Sequence, residues 1–235
     1  LLELFRQAAI SGNAEAEYDL GCALMDGIAG EKDDYQALRW FRLAGAQGHV
    51  KSQYRVGYAL AHGAGCEIDL QQASTWLRKA AVNGDPKGQY EFGLLFIHPD
   101  YPKRNEEEAF RWIRLSAIAG FAPAQYQLAL FYQAGEGTLA SYEEAFTWAR
   151  RAAAQGEEKA LLLLASLYRF GAGTSANITA AYAIASYLSG TENPNATALL
   201  QTLEPQIAAG DRARVQKMLS STKSALELIE NISTL

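Results

Sequence analysis

The apolar positions recur with a helical period, in blocks. Tyr54, Gly57, Leu60 and Ala61 fall on one face at i, i+3, i+6 and i+7. After a break, Ala73, Trp76, Leu77, Ala80 and Ala81 do the same. The pattern predicts a helix, a loop and a second helix. Gly27, Gly63, Gly135 or Gly171 closes the first helix, because glycine accepts the left-handed backbone that ends one. The second opens on Asp33, Asp69, Asn105, Ser141 or Asn177, all of which have side chains that cap a helix N-terminus. Gln36, Gln72, Glu108 and Glu144 follow three positions later, the spacing of a capping box in which the Gln or Glu reaches back to the cap's own N–H; Ala180 breaks it. Gly48, Gly84, Gly120 or Gly156 ends the second helix, and the next begins within two or three residues, so neighbours must run antiparallel.

The whole block repeats every 36 residues. Trp40, Trp76, Trp112 and Trp148 share one column; Tyr18, Tyr54, Tyr90 and Tyr126 share another; Ala37, Ala73, Ala109, Ala145 and Ala181 a third. The repeats run 14–49, 50–85, 86–121, 122–157 and a degenerate 158–190. Residues 1–13 read as the second half of an earlier one, with Phe5, Ala8, Ala9 and Gly12 in phase with Phe41, Ala44, Gly45 and Gly48. Such a period marks a solenoid, in which each helix pair buries its faces only against its neighbours. Small columns (Gly21, Gly57, Gly93) let helices approach, and the Trp column is expected to fill the space between pairs. Residues 191–235 leave the period. Asn193-Pro194-Asn195 starts a helix carrying Leu199, Leu200, Leu203 and Ile207, interrupted at Pro205. One further helix carries Val215, Met218, Leu219, Leu226 and Ile229. Together they are expected to cap the array, with a dimerising or partner-binding tail as the alternative.

The segments A-x-A-Q-Y-x-L-A at 122–129, G-E-G at 135–137 and A-F-T-W-A-R-R-A-A-A-Q-G at 145–156 resemble the SEL-like repeat family, a 36-residue relative of the tetratricopeptide class, over about residues 1–190. The resemblance implies an all-α fold, a right-handed α-solenoid of stacked antiparallel helix pairs with the first helix of each pair on the concave face. It also implies a protein-binding role without catalysis. Family members include adaptors, regulators, virulence factors and immunity proteins that neutralise secreted toxins, and bacterial members are often exported.

That concave face would carry Cys22, Tyr58, Leu94 and Leu130 in one column, Ile97, Gln133 and Arg169 in a second, and Asp26, His62, His98 and Phe170 in a third. The lining is acidic at one end, apolar in the middle and basic-aromatic at the other, which suits a protein segment; the alternative is that Leu94, Ile97 and Leu130 are simply packed inside a tight superhelix. The third repeat replaces G-x-G by His98-Pro99-Asp100-Tyr101-Pro102-Lys103-Arg104. Two prolines stiffen this loop, either as a tolerated variant or as a contact loop that presents Tyr101 and Arg104.

Composition narrows the choice. Lys+Arg number 21 and Asp+Glu 26, for a net charge of −5. A nucleic-acid binder needs a basic stripe that this chain lacks. No apolar run approaches the roughly 18 residues of a membrane helix. Cys22 and Cys66 fall in different columns, so two free thiols are expected. No zinc, nucleotide or nucleophile-elbow motif is present, and neither a metal nor a cofactor is expected. His62 and His98 share a column with Asp26, but stacked helices would hold them roughly 10 Å apart, too far for one ion. A pH-sensitive interface row is the other use of these histidines. Glu106-Glu107-Glu108 follows the cap Asn105, where carboxylates suit the helix dipole.

The resulting expectation is a non-enzymatic protein-interaction solenoid, in its concrete form an exported, periplasmic bacterial immunity protein that neutralises a secreted toxin enzyme such as a phospholipase. The alternatives are a scaffold or adaptor for envelope, secretion or signalling assembly, cytoplasmic or exported, and a metal or pH sensor built on the His62/His98 row. The chain begins Leu-Leu-Glu without Met, which fits trimming of a signal peptide.

Overall fold

The computed structural model describes residues 6–7, 9–28, 30–191 and 193–233. Phe5 and Ala8, two positions read as part of a preceding half repeat, lie outside these. Among the described residues the chain is all-α, without a strand. It forms two compact units, the first ending at Ala119 and the second starting at Gly120.

Unit one contains α1 (Ala14–Asp26), α2 (Asp34–Ala46), α3 (Val50–His62), α4 (Leu70–Val82), α5 (Pro86–Leu95) and α6 (Glu106–Ile118). Each helix packs on the next, and α3 also touches α5, the next first-of-pair helix. The first helices of the pairs (α1, α3, α5) are called A here, and the second ones B. Gly21 and Gly57 decide how closely A and B approach. A Cβ at Gly21 would stand 2.5 Å from the Phe41 ring, and one at Gly57 2.5 Å from Leu77 Cγ. Each B helix therefore seats a large buried side chain directly on the backbone of its A partner.

Unit two contains α7 (Ala122–Ala134), α8 (Tyr142–Ala154), α9 (Glu158–Phe170) and α10 (Ile178–Ser189), with α7 and α9 as A helices and α8 and α10 as B helices. At the register of Gly21 and Phe41 it carries Ala129 with Ala149 and Ala165 with Ala185, all buried. There two alanines stand where unit one pairs a glycine with a large side chain.

Every B helix starts on the cap read from the sequence. Side-chain oxygens of Asp33, Asp69, Asn105, Ser141 and Asn177 accept the N–H three residues on, at 2.8, 2.8, 3.1, 3.3 and 2.9 Å. The reciprocal half of the capping box is not made. The five cap N–H groups donate instead to Leu24, Leu60, Phe96, Tyr132 and Tyr168 carbonyls, nine residues back in the preceding A helix or, for Phe96, just past its end, at 2.8–3.0 Å. Freed from that task, Gln72 Nε2 donates to Asp69 Oδ2 at 2.6 Å, and Glu144 accepts from Trp148 Nε1 at 3.1 Å. A second cap column, not anticipated, opens the A helices: Asn13, His49 and Asp85 accept from Ala16, Ser52 and Gly88 N–H groups.

The Trp column does not fill the core. Trp40, Trp76 and Trp112 are half-buried, and only Trp148 is buried. The interior position is the next residue, Phe41, Leu77, Ile113 or Ala149, because one helical step of 100° turns the Trp toward the rim. There the indole faces hold cations, Lys79 Nζ 4.6 Å from Trp76 and the Arg151 guanidinium 4.5 Å from Trp148.

The tail is divided more finely than its apolar pattern indicates. Asn193 Oδ1 caps α11 (Pro194–Leu203), accepting from Asn195 and Ala196. Pro205 sits in a 3₁₀ turn at Glu204–Gln206. The expected single last helix is two, α12 (Ala209–Leu219) and α13 (Ala225–Ile232), separated by a break at 220–224 where Ser224 caps α13 through Glu227 N–H at 3.2 Å. That polar segment supplies a better N-cap than a helix interior. α13 returns onto α8 and α10, the B helices of unit two.

Candidate binding face

Unit one gathers polar and aromatic side chains on its A helices. On α3, Tyr54, Tyr58 and His62 lie at i, i+4 and i+8, hence on one face. The Tyr54 and Tyr58 rings are 5.9 Å apart, and Tyr58 lies 4.2 Å from the His62 ring. His62 Nε2 sits 3.1 Å from Oε2 of Glu91 on α5. The run Tyr54–Tyr58–His62–Glu91 thus bridges two A helices. On α1, Tyr18 stacks against Phe41 and His49 at centroid distances of 5.7 and 4.8 Å, and His49 Nε2 pairs with Glu15 at 3.2 Å.

Burial pushes the Glu91 carboxyl above its ordinary range, and the hydrogen bond to His62 opposes this only in part. Burial also pushes the Tyr54 phenol up to about 12, with the Glu91 carboxylate adding to it and Arg55 opposing. Burial likewise raises the Cys22 thiol, against the hydrogen bond with Tyr18. Tyr54 therefore keeps its proton as a donor, and Cys22 remains a thiol rather than a nucleophilic thiolate. The chemistry available is aromatic contact and hydrogen bonding. Cys22 and Cys66 are both free and half-buried.

The residues singled out from the sequence separate into groups. Asp26, Tyr58 and His62 are exposed, whereas Leu94, Ile97 and His98 are half-buried on α5 and just beyond it. His62 and His98 do not act together. His62 turns to Glu91, while His98 Nδ1 accepts the Asp100 N–H at 3.2 Å. In unit two, Leu130, Gln133 and Arg169 are half-buried; Phe170 is 70% exposed, with the Arg169 guanidinium 5.0 Å from its ring.

Tyr101 is not presented to a partner; it is 5% exposed. It takes the register of Gly65 and Gly173, where the loop crosses the start of the preceding B helix too closely for a Cβ. Without that glycine, α5 stops at Leu95 and the loop swings so that the Tyr101 ring enters the core beside Phe96, at 5.8 Å. Its hydroxyl shares a 2.7 Å hydrogen bond with Ser74 Oγ. Arg104 remains exposed.

Glu91 and Arg55 were missed by sequence reasoning. A signal was present, since Asp19, Arg55 and Glu91 occupy one column with alternating charge. Among the described residues no group of three or more His, Cys, Asp or Glu is arranged to hold a metal ion, and no helix is long and apolar enough to cross a membrane.

A family model for the Sel1 repeat matches residues 14–49, 50–85, 86–121, 122–157 and 158–185. No curated protein matches the chain. Among solved structures it is similar to c5321, a protective antigen present in uropathogenic Escherichia coli strains displaying an SLR fold, at 28% identity and a TM-score of 0.89 over 100% of this chain and 51% of that one. The chain therefore spans about half the length of that relative. It is also similar to a Sel1 repeat protein from Oxalobacter formigenes, at 27% identity and a TM-score of 0.69, over 73% of this chain and 68% of that one. Immunity protein Pa5087 from Pseudomonas aeruginosa matches at 25% identity and a TM-score of 0.48, over 71% of this chain and 62% of that one.

Proposed function

Because the chain belongs to the Sel1 repeat family, we propose that it is a non-enzymatic protein-binding module that holds a segment of its partner against the A-helix face of unit one. The observation that carries this reading is the run Tyr54–Tyr58–His62–Glu91. It offers aromatic area on side chains with few rotatable bonds and ends on a half-buried carboxylate able to accept from a partner N–H. Affinity capture with mass spectrometry, run in parallel on the native chain and on Tyr58→Ala/His62→Ala, tests it. A partner retained by the first and lost by the second is expected; equal retention overturns the assignment of this face.

The finer form of the proposal is an exported, periplasmic immunity protein whose partner is a secreted toxin enzyme such as a phospholipase. It is supported by the resemblance to a family that contains immunity proteins. Co-purification with the toxin and loss of its lipase activity on mixing are the expected results. Capture of a resident secretion or sensor component, with no effect on any lipase, would make the chain an adaptor instead. Fractionation of the tagged, complete gene product tests the compartment.

A further inference from the structure

Unit two shows what a B-helix surface of this chain accepts. α13 lies on α8 and α10 and buries Leu228, Ile229 and Ile232. Where it meets α8 a cleft of about 400 Å³ remains. Its α8 wall is Phe146, Thr147, Arg150, Arg151 and Ala154, and its α13 wall is Leu226, Ile229 and Glu230. The docked helix thus offers two apolar residues at i and i+3 and a carboxylate at i+4 to a wall with two arginines.

Two periods earlier the same five register positions are Ser74, Thr75, Arg78, Lys79 and Val82 on α4. All five line a cleft of about 620 Å³ in unit one. Its back is Phe92, Phe96 and Tyr101, and Lys103 stands on its rim because the shortened α5 and the two-proline loop put it there. The cation over the Trp ring is held alike in both clefts, Lys79 on Trp76 and Arg151 on Trp148. Val82 is 67% exposed, whereas its counterpart Ala154 packs on the unit-two core that includes α13. Arg78, Lys79 and Lys103 line the unit-one cleft and no carboxylate lines it with them, on a chain whose net charge is −5.

We infer that the α4 cleft is a docking groove for an acidic amphipathic helix of a partner protein, seated as α13 is seated on α8. Its apolar i and i+3 side chains lie over Val82 and the Phe96–Tyr101 wall, and its carboxylate at i+4 pairs with Arg78 or Lys103. This surface is built on α4 with a back wall from α5 and the loop after it, and shares no residue with the run Tyr54–Tyr58–His62–Glu91.

The probe is a fluorescein-labelled peptide of residues 222–233, the chain's own example of such a helix, titrated into the full chain by anisotropy. Saturable binding that weakens with added salt is expected. Arg78→Glu/Lys103→Glu should weaken it at least tenfold while leaving the circular-dichroism melt unchanged, both side chains being exposed. Arg150→Glu should leave the affinity within twofold, and a peptide with Glu230→Lys should bind at least tenfold more weakly. Absence of saturable binding overturns the inference. So does loss of binding with Arg150→Glu but not with Arg78→Glu/Lys103→Glu, which would mean that the peptide displaces α13. A dimer in light scattering that disappears with Arg78→Glu/Lys103→Glu overturns it too, because the occupant would then be a second copy of this chain.

Discussion

Gly57 and Leu77 form one unit of packing. The Leu77 backbone nitrogen lies only 3.0 Å from where a Cβ on Gly57 would be, so relief through side-chain rotation alone is not available. Gly57→Ala is expected to destabilise by about 1–3 kcal/mol, as overpacked cores do. Leu77→Ala should cost about 2–5 kcal/mol. The double variant recreates the Ala129–Ala149 pairing of unit two and should cost less than the sum of the two, a coupling readable in urea denaturation. Glu91 gives a pH signature. Its folded value lies above the ordinary 4.5, so the stability tied to it is complete in acid and is lost as pH rises through the raised value. Glu91→Gln removes that titration. The variant should melt higher than the native chain at pH 7, with the difference closing toward pH 4.

At the scale of elements, the starts of the B helices were legible because a cap is a local contract between residues three apart, whereas the caps of the A helices, the early stop of α5 and the break at 220–224 were not. Asn177→Ala should cost about 1 kcal/mol, measured by chemical denaturation, and should fray α10 first in hydrogen exchange. The shape of the 96–105 loop was not legible in the same way. Whether Tyr101 points out or in depends on where α5 stops and on Ser74, 27 residues away, and no spacing rule connects the two. A double-mutant cycle of Tyr101→Phe and Ser74→Ala should show coupling of about 1 kcal/mol, the value of one such hydrogen bond. Tyr101→Ala should cost about 3–5 kcal/mol, as a large aromatic lost from a core does. The His62–Glu91 pair escaped notice for a related reason: its members stand in different columns on different helices, and the 36-residue register alone never sets them side by side.

For the whole molecule, periodicity carried most of the information, since five helix pairs report the same rule five times. The tail has no such redundancy. Its apolar stripe gives helices but not the break at 220–224 or the return of α13 onto α8. That return has a measurable weight. Ending the chain at residue 220 removes the buried Leu228, Ile229 and Ile232 side chains, each worth about 1.5–3 kcal/mol and together comparable with the stability of an ordinary domain. Hydrogen exchange on the shortened chain should show protection falling in α8 and α10, while α2 to α4 in unit one keep theirs.

The bond from each B-helix cap N–H to the A-helix carbonyl nine residues back has a consequence for how such a chain can change. It closes at 2.9 Å across the two-proline loop of the third repeat, from Asn105 to Phe96, as it does across the glycine loops. The anchor points at either end are backbone atoms, so they place few demands on the letters between them. A bracketed segment can be rewritten, as the third has been, while the nine-residue span is kept, but its letters answer to the surface beneath it: glycine against Asp34 or Tyr142, and Tyr101 where Ser74 and Phe96 receive its ring. Grafting 97–104 between Leu60 and Asp69 would set Tyr101 at the Gly65 position, where a Cβ meets the Asp34 backbone at 2.5 Å, and would replace Ala61 and His62 of α3, so that variant is expected to melt below the native chain.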